Sequence, residues 1–124
     1  MQRTFAPSVQ DSIAANTAVA AATPVNGTVI DLRLAFDQVE MNVSVANGAA
    51  APGGAPAVTV QGAVLSTGPW FTIDTVNGDL VANSVNRRRV TLPPTPYVRA
   101  VAAGNTGQPV AATARVHFRK ASIA

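Results

Sequence analysis

The sequence predicts an all-β protein: an antiparallel β-sandwich or jelly roll of seven to eight short strands with an extended N-terminal arm. Several segments alternate apolar and polar side chains, which is the period of a strand with one buried face. Glycine, proline, asparagine and aspartate separate these segments, and no long segment has a helical period. Because a single open sheet would leave one apolar face uncovered, we expect two packed layers.

The size and composition fit one domain that folds without disulfide bonds or a structural metal. The chain has 124 residues and no cysteine, which excludes disulfides, thiolate zinc sites and thiol catalysis. Charged residues make up 12% of the chain, about half the usual share of a soluble domain. Two interpretations remain open: the exposed faces become covered by neighbouring molecules, or the composition is merely rich in alanine.

The low number of basic residues argues against a nucleic-acid partner, and the lack of long apolar runs argues against a membrane. Nine Arg and Lys residues against six Asp and Glu residues are too few for a nucleic-acid footprint. No apolar run approaches the roughly 20 residues of a membrane-spanning helix. The N-terminal residues lack the pattern of a signal peptide, so we expect a protein made and used without Sec export.

The N-terminal segment differs from the rest of the chain. Residues 1–25 lack clear periodicity, and Pro7 and Pro24 bracket a stretch of small and polar residues. We therefore predict an extended arm over residues 1–25, ordered against a partner or left as a disordered tail, and a β-sandwich domain over residues 26–124. Removing the arm is expected to leave a folded domain.

Two consecutive alternating segments open the domain. The first places Ile30, Leu32, Leu34 and Phe36 on one face of a strand. In the second, which has the cleanest pattern, the apolar residues are Val39, Met41, Val43 and Val45. A strand with one buried and one solvent-exposed face is typical of antiparallel sheets.

Turn chemistry divides the remaining strands. Residues 47–56 (NGAAAPGGAP) predict a surface loop, and Gly62 within the next strand predicts a bulge. Asn77-Gly78 predicts a type I′ hairpin with residues 80–82 as the return strand.

The sequence predicts no catalytic, cofactor or metal residues. His117 is the only histidine, and we interpret it as a solvent-facing strand residue because it lies on the polar side of the last alternating segment. No nucleophile motif accompanies it, which argues against a catalytic role. The segment from Asp74 to Asp79 faintly resembles a calcium loop, but a hairpin turn explains it better. The candidates for paired carboxylates are Asp31, Asp37, Glu40, Asp74 and Asp79.

Partner contact is the remaining way for this chain to act. Arg87, Arg88 and Arg89 either form a solvated strand edge or meet an acidic partner, since arginine pairs bidentately with carboxylates. Aromatic and arginine side chains are enriched at interface hot spots. The further contact candidates are Phe5 in the arm and Trp70, Tyr97 and Arg99 in the domain.

Three segments carry a resemblance to a known family. VTVQGAV at 58–64, WFTIDT at 70–75 and PYVRAVAAGNTG at 96–107 resemble small β-sandwich proteins of tailed-bacteriophage particles, of the capsid decoration or cement type. The resemblance covers about residues 28–118. The glycine- and proline-rich loop and the arginine run lie outside the pattern.

The resemblance implies a non-enzymatic structural protein of a virion. Such a protein lies on the capsid surface, often as a homo-oligomer such as a trimer, and binds the major capsid protein or other virion proteins after assembly in the host cytoplasm. Two alternatives stay open: a head–tail connector, tail or head-fibre component of a phage, and a carbohydrate-binding or adhesin-type β-sandwich module. An enzyme is a third alternative, for which the sequence offers no motif.

Overall fold

A computed structural model describes the backbone of residues 3–123 and the side chains of residues 7–35 and 39–119. Within this range the regular structure is entirely strand, so the predicted all-β class is confirmed. There are nine strands, two of which span only two residues. They are β1 (Arg3–Val19), β2 (Val25–Asn26), β3 (Ile30–Asp31), β4 (Ala35–Asn47), β5 (Ala57–Ala63), β6 (Phe71–Asn77), β7 (Val85–Leu92), β8 (Tyr97–Ala103) and β9 (Val110–Ile123).

The strands form two antiparallel sheets, as expected of a sandwich. The first sheet has the order β1-β9-β4-β7. The second has the order β2-β8-β5-β6, and β3 also pairs with β8. Contacts between β1 and β3 and between β6 and β7 place one pair of strands at each open edge of the sandwich.

The core lies between the two sheets. The predicted alternation in β4 is confirmed, since Val39, Met41, Val43 and Val45 are all buried. Valine and alanine dominate the facing positions of the second sheet, where Val58 and Val60 are fully buried. Small, β-branched side chains suit a thin interior between pleated surfaces and explain why so few aromatic residues are needed.

The N-terminal segment belongs to the sandwich rather than projecting from it. β1 pairs with β9 from its first to its last residue with two register shifts, and its Ile13 and Val19 belong to the buried core. A register shift between Asp11 and Ile13 leaves Ser12 as an extra residue, a β-bulge. The predicted division at residue 25 therefore does not separate packed from unpacked residues, and independent folding of residues 26–124 stays a prediction.

Ser12 closes one open edge of the sandwich. Its hydroxyl donates to the Thr28 carbonyl at 2.9 Å and accepts from the Ala100 amide at 2.8 Å. Ser12 is 4% exposed. These bonds satisfy a buried hydroxyl and join β1 of the first sheet to the edge of the second.

The first alternating segment does not continue as one strand. β3 ends at Asp31, whose carboxylate accepts from the Arg33 amide at 2.9 Å and fixes a turn. The chain then passes from the second sheet to the first. Leu34, predicted to face the core, lies in this turn and is 56% exposed, and the side chain of Phe36 lies outside the described residues.

The predicted hairpin at Asn77-Gly78 is wrong. β6 ends at Asn77 in the second sheet, and the next strand, β7, lies in the first, so residues 78–84 form a crossing loop. The loop is organised by Asp79, which accepts hydrogen bonds from the Ser84 hydroxyl, the Asn86 amide and the Val81 backbone N–H. Hydrogen bonds of this kind make Asn-Gly-Asp a good loop as well as a good hairpin.

The predicted bulge near Gly62 lies next to that glycine, on the partner strand. Val60 pairs with Asp74 and Gln61 with Thr72, so Ile73 of β6 is the extra residue. Gly62 itself pairs regularly. A Cβ there would lie 2.8 Å from the Thr95 methyl and 2.9 Å from the Phe71 ring, so close packing explains the glycine.

Candidate partner-binding surfaces

The predicted arginine run is divided by the pleat of β7. This strand is an edge strand, and Arg88 lies opposite the buried Val43 while Arg87 and Arg89 lie opposite Ser44 and Asn42. Residues opposite one another in an antiparallel pair share a face. Arg88 is therefore on the inner side of the first sheet, and its two neighbours are on the outer side.

Arg88 forms an ion pair across the second open edge of the sandwich. Its guanidinium binds the carboxylate of Asp74 on β6, the facing edge strand. The hydrogen bond from Arg88 and, as a smaller contribution, the hydrogen bond from the Thr75 amide lower the pKa of Asp74 below its ordinary value. This predicted contact residue is thus engaged within the chain, in a position that bridges the two sheets.

Arg87 and Arg89 belong to what we call the basic face, the outer surface of the first sheet around Arg87, Arg89, Arg115 and His117. The register aligns Arg89, Asn42, Arg115 and Asp11 in one row across four strands. Three exposed or half-buried arginines thereby come within one small area. The face also contains Glu40.

Carboxylates accompany two of these arginines. The Arg115 Nε atom lies 2.7 Å from Asp11 Oδ1, and this hydrogen bond raises the pKa of Arg115. The Arg89 Nε atom lies 3.3 Å from Glu40 Oε2. Arg87 has no ion-pair partner among the side chains at 7–35 and 39–119. It is the least neutralised charge of the basic face.

A shallow trough runs along β4 on this face and encloses about 520 Å³. Asn42 and Ser44 of β4 form its floor together with Thr113 of β9. Arg87 and Arg89 of β7 line one side, and Arg115 and His117 line the other. Short polar side chains on the central strand between longer basic ones produce the depression.

Three other predicted contact residues meet on the outer face of the second sheet. The Arg99 guanidinium carbon lies 4.3 Å from the Trp70 ring centroid, and its Nε donates to Gln61 Oε1 at 2.8 Å. Tyr97, two residues before Arg99 on β8, has the Arg33 guanidinium carbon 5.4 Å from its ring centroid. The predicted contact residues therefore divide between opposite faces of the sandwich.

Phe5 was a predicted contact residue, and Phe71 was not. The backbone of Phe5 pairs with Ala121 in β1, and its side chain lies outside the described residues. Phe71 is 48% exposed and lines a cleft that the sequence did not indicate.

That cleft opens between β6 and β7 at one end of the sandwich. It encloses about 1140 Å³ and is mostly apolar. Leu92 and Ile73 lie on its walls, and the loop containing Pro93, Pro94 and Pro96 borders it. The sequence signal for this end of the sandwich was the cluster of prolines, which begins directly after β7 ends at Leu92.

His117 and the carboxylates do not converge on a reactive centre in the described chain. His117 is exposed and lies opposite Glu40 on β4 and Val9 on β1. Asp79 is held by its loop, and the hydrogen bonds from Ser84, Asn86 and Val81 lower its pKa. The described side chains contain no group of three His, Cys, Asp or Glu residues able to hold a metal ion. The described part of the chain also contains no helix that is long and apolar enough to cross a membrane.

Comparison with solved structures finds the fold in virus particles. A chain in the structure of infectious bursal disease virus, Gx strain, superposes with a TM-score of 0.56 at 8% identity, over 94% of this chain and 32% of that chain. The chain thus has a capsid-like β fold. It spans about a third of that viral chain. No family model matches the sequence, and no curated protein matches it.

Two further structures have lower scores. One is the VP2 subviral particle of infectious bursal disease virus, with a TM-score of 0.49 at 8% identity over 96% of this chain and 33% of that chain. The other is a Bacillus endospore appendage, a disulfide-linked pilus, with a TM-score of 0.48 at 13% identity over 97% of this chain and 91% of that chain. The tailed-phage type of the predicted resemblance stays a prediction.

Proposed function

We propose that this chain is a non-enzymatic structural protein of a virus particle, which acts by binding neighbouring protein subunits through its sheet faces and its apolar cleft. The observation that carries the proposal is the superposition of almost the whole chain on one part of an infectious bursal disease virus chain. A capsid decoration or cement protein that binds the major capsid protein is the form we favour, because the segments at 58–64, 70–75 and 96–107 resemble proteins of that type.

The surface supports a role in assembly. Only 12% of the residues are charged, and large apolar side chains remain exposed. Leu34 and Phe71 are exposed at the end of the sandwich that contains the apolar cleft. Apolar surface of this kind is costly in water and is commonly covered by a partner. The described groups with perturbed pKa values are accounted for by ion pairs and by the Asp79 loop.

Immunogold labelling tests the proposal. Antibodies raised against the folded chain would be applied to purified particles from the biological source of this sequence and viewed by electron microscopy. We expect label spread over the shell in many copies. A ring of label at one vertex would instead indicate a connector or tail component, and particles without label would contradict a virion role.

A carbohydrate-binding or adhesin module is the second candidate, because Trp70 and Tyr97 lie on the same outer face. Sugar rings stack on open aromatic faces, however, and Arg99 and Arg33 already cover one face of each ring. Binding to a glycan array that is lost in Trp70→Ala, with particles left unlabelled, would favour this candidate.

A further inference from the structure

The described carboxylate side chains, at residues 7–35 and 39–119, are already engaged within the chain itself. Asp11 pairs with Arg115, Asp31 with Arg33, Glu40 with Arg89 and Asp74 with Arg88. Asp79 is bound within its loop. The side chain of the sixth carboxylate, Asp37, lies outside the described residues. Across residues 7–35 and 39–119, a second copy therefore offers no uncommitted carboxylate to Arg87.

The dimensions of the trough match an extended chain. Neighbouring strands lie about 4.8 Å apart, so the basic side chains of β7 and β9 stand on strands roughly 10 Å apart on either side of β4. Arg87 and Arg89 are two residues apart on one strand, a spacing of about 7 Å, which is also the spacing of alternate residues in an extended peptide. Carboxylates at alternate positions of such a peptide would meet both guanidinium groups.

We propose that the trough along β4 binds an extended acidic segment of a partner protein, with Arg87 as the principal contact and Arg89 and Arg115 as further contacts. This inference deepens the proposed function and rests on it only in taking the partner to be a neighbouring subunit. Exposed ion pairs such as Arg89–Glu40 are weak and exchange easily, so an incoming carboxylate can share those arginines. The guanidinium fork favours planar, bidentate carboxylates.

A nucleic acid fits the same face less well. Glu40 and Asp11 lie among the arginines and repel a continuous run of phosphates. The described basic face also lacks phenylalanine, tyrosine and tryptophan side chains on which bases could stack. Separate carboxylates in register with individual arginines avoid both difficulties.

Fluorescence anisotropy at low ionic strength tests the site. The probe is a labelled peptide of alternating glutamate and serine, with a lysine–serine peptide and a short DNA duplex as comparisons. We expect the glutamate peptide to bind and Arg87→Ala to weaken it about five-fold, the effect of losing one charge-assisted contact. Arg33→Ala, which removes the same charge from outside the basic face, should change binding less than about two-fold.

A second variant separates the trough from general charge. Ser44→Phe fills the floor and leaves the charge unchanged, so it should weaken the peptide while thermal unfolding verifies that the variant is folded. Equal losses in Arg87→Ala and Arg33→Ala, unchanged binding in Ser44→Phe, or absence of peptide binding would overturn the inference. Tighter, Arg87-dependent binding of duplex DNA would identify a nucleic-acid site instead. These results leave the labelling of particles unaffected, so the two proposals can fail separately.

Discussion

Arg88 of β7 and Asp74 of β6 form an ion pair that joins the two sheets at one open edge of the sandwich. At the other edge Ser12 provides the link through its bonds to the Thr28 carbonyl and the Ala100 amide. One edge is thus held by an ion pair between half-exposed side chains and the other by hydrogen bonds of a buried hydroxyl. The two links should respond differently to pH and to mutation.

Arg88→Ala should lower the free energy of unfolding at neutral pH, by less than about 1 kcal/mol because both partners are partly exposed. The folded pKa of Asp74 is below its ordinary value of 3.8. The pair therefore contributes stability above that value, and the contribution is lost as pH falls through the folded pKa. Urea denaturation of both proteins at neutral pH and at about pH 2 measures this, with a difference expected only at neutral pH.

Arg87→Ala is the matched control for this prediction, since it removes the same charge from the same strand and has no ion-pair partner in the described chain. Its unfolding free energy should equal that of the parent. An Arg88→Ala deficit that persists unchanged in acid would show that packing, rather than the ion pair, holds the edge.

Ile13→Ala should cost about 2–5 kcal/mol, as for other large-to-small substitutions in a core. Ile13 is 2% exposed in β1, whereas Val9 of the same strand is 53% exposed. Val9→Ala should therefore change stability by less than about 0.5 kcal/mol. Chemical denaturation of the two variants decides whether β1 is part of the folding unit, and equally small effects would restore the predicted arm at residues 1–25.

Gly27→Ala should destabilise the protein by about 1–3 kcal/mol or more, because the added methyl has no space. A Cβ at Gly27 would lie 2.3 Å from Ser12 Oγ and 2.5 Å from the Ala100 carbonyl oxygen. At Gly48 the same atom would meet nothing within 4 Å, which makes Gly48→Ala the control. Thermal unfolding should show a lower Tm for Gly27→Ala alone, and comparable values for both would contradict the close approach at the Ser12 edge.

The alternation of apolar and polar residues predicted those features of the fold that depend on neighbouring residues alone. The alternation from Val39 to Val45 identified β4 and its buried face, because the period of two is a property of the strand itself. The same alternation did not identify β1 as a strand. Its register shifts near Ser12 and before Thr17 interrupt the period, and Asn16 adopts a positive φ of 55°, so the inward residues are not evenly spaced.

Contacts between distant segments could not be predicted in this way. Asn77-Gly78 has the chemistry of a hairpin turn, but which sheet receives the next strand depends on packing far along the chain. The same holds for the arginine run. The sequence indicated Arg87, Arg88 and Arg89 as one group, whereas the position of β7 at an edge facing β6 directs Arg88 to Asp74 and leaves Arg87 and Arg89 on the outer surface.

The three consecutive arginines of β7 also decide how copies of the chain can line up side by side. An edge strand presents unpaired backbone groups that invite another strand, as in fibril growth. Two copies joined through β7 would bring guanidinium groups of both chains together, and like charges directly opposite one another destabilise a strand pair. Pairing of two copies of the chain through this edge is thereby disfavoured.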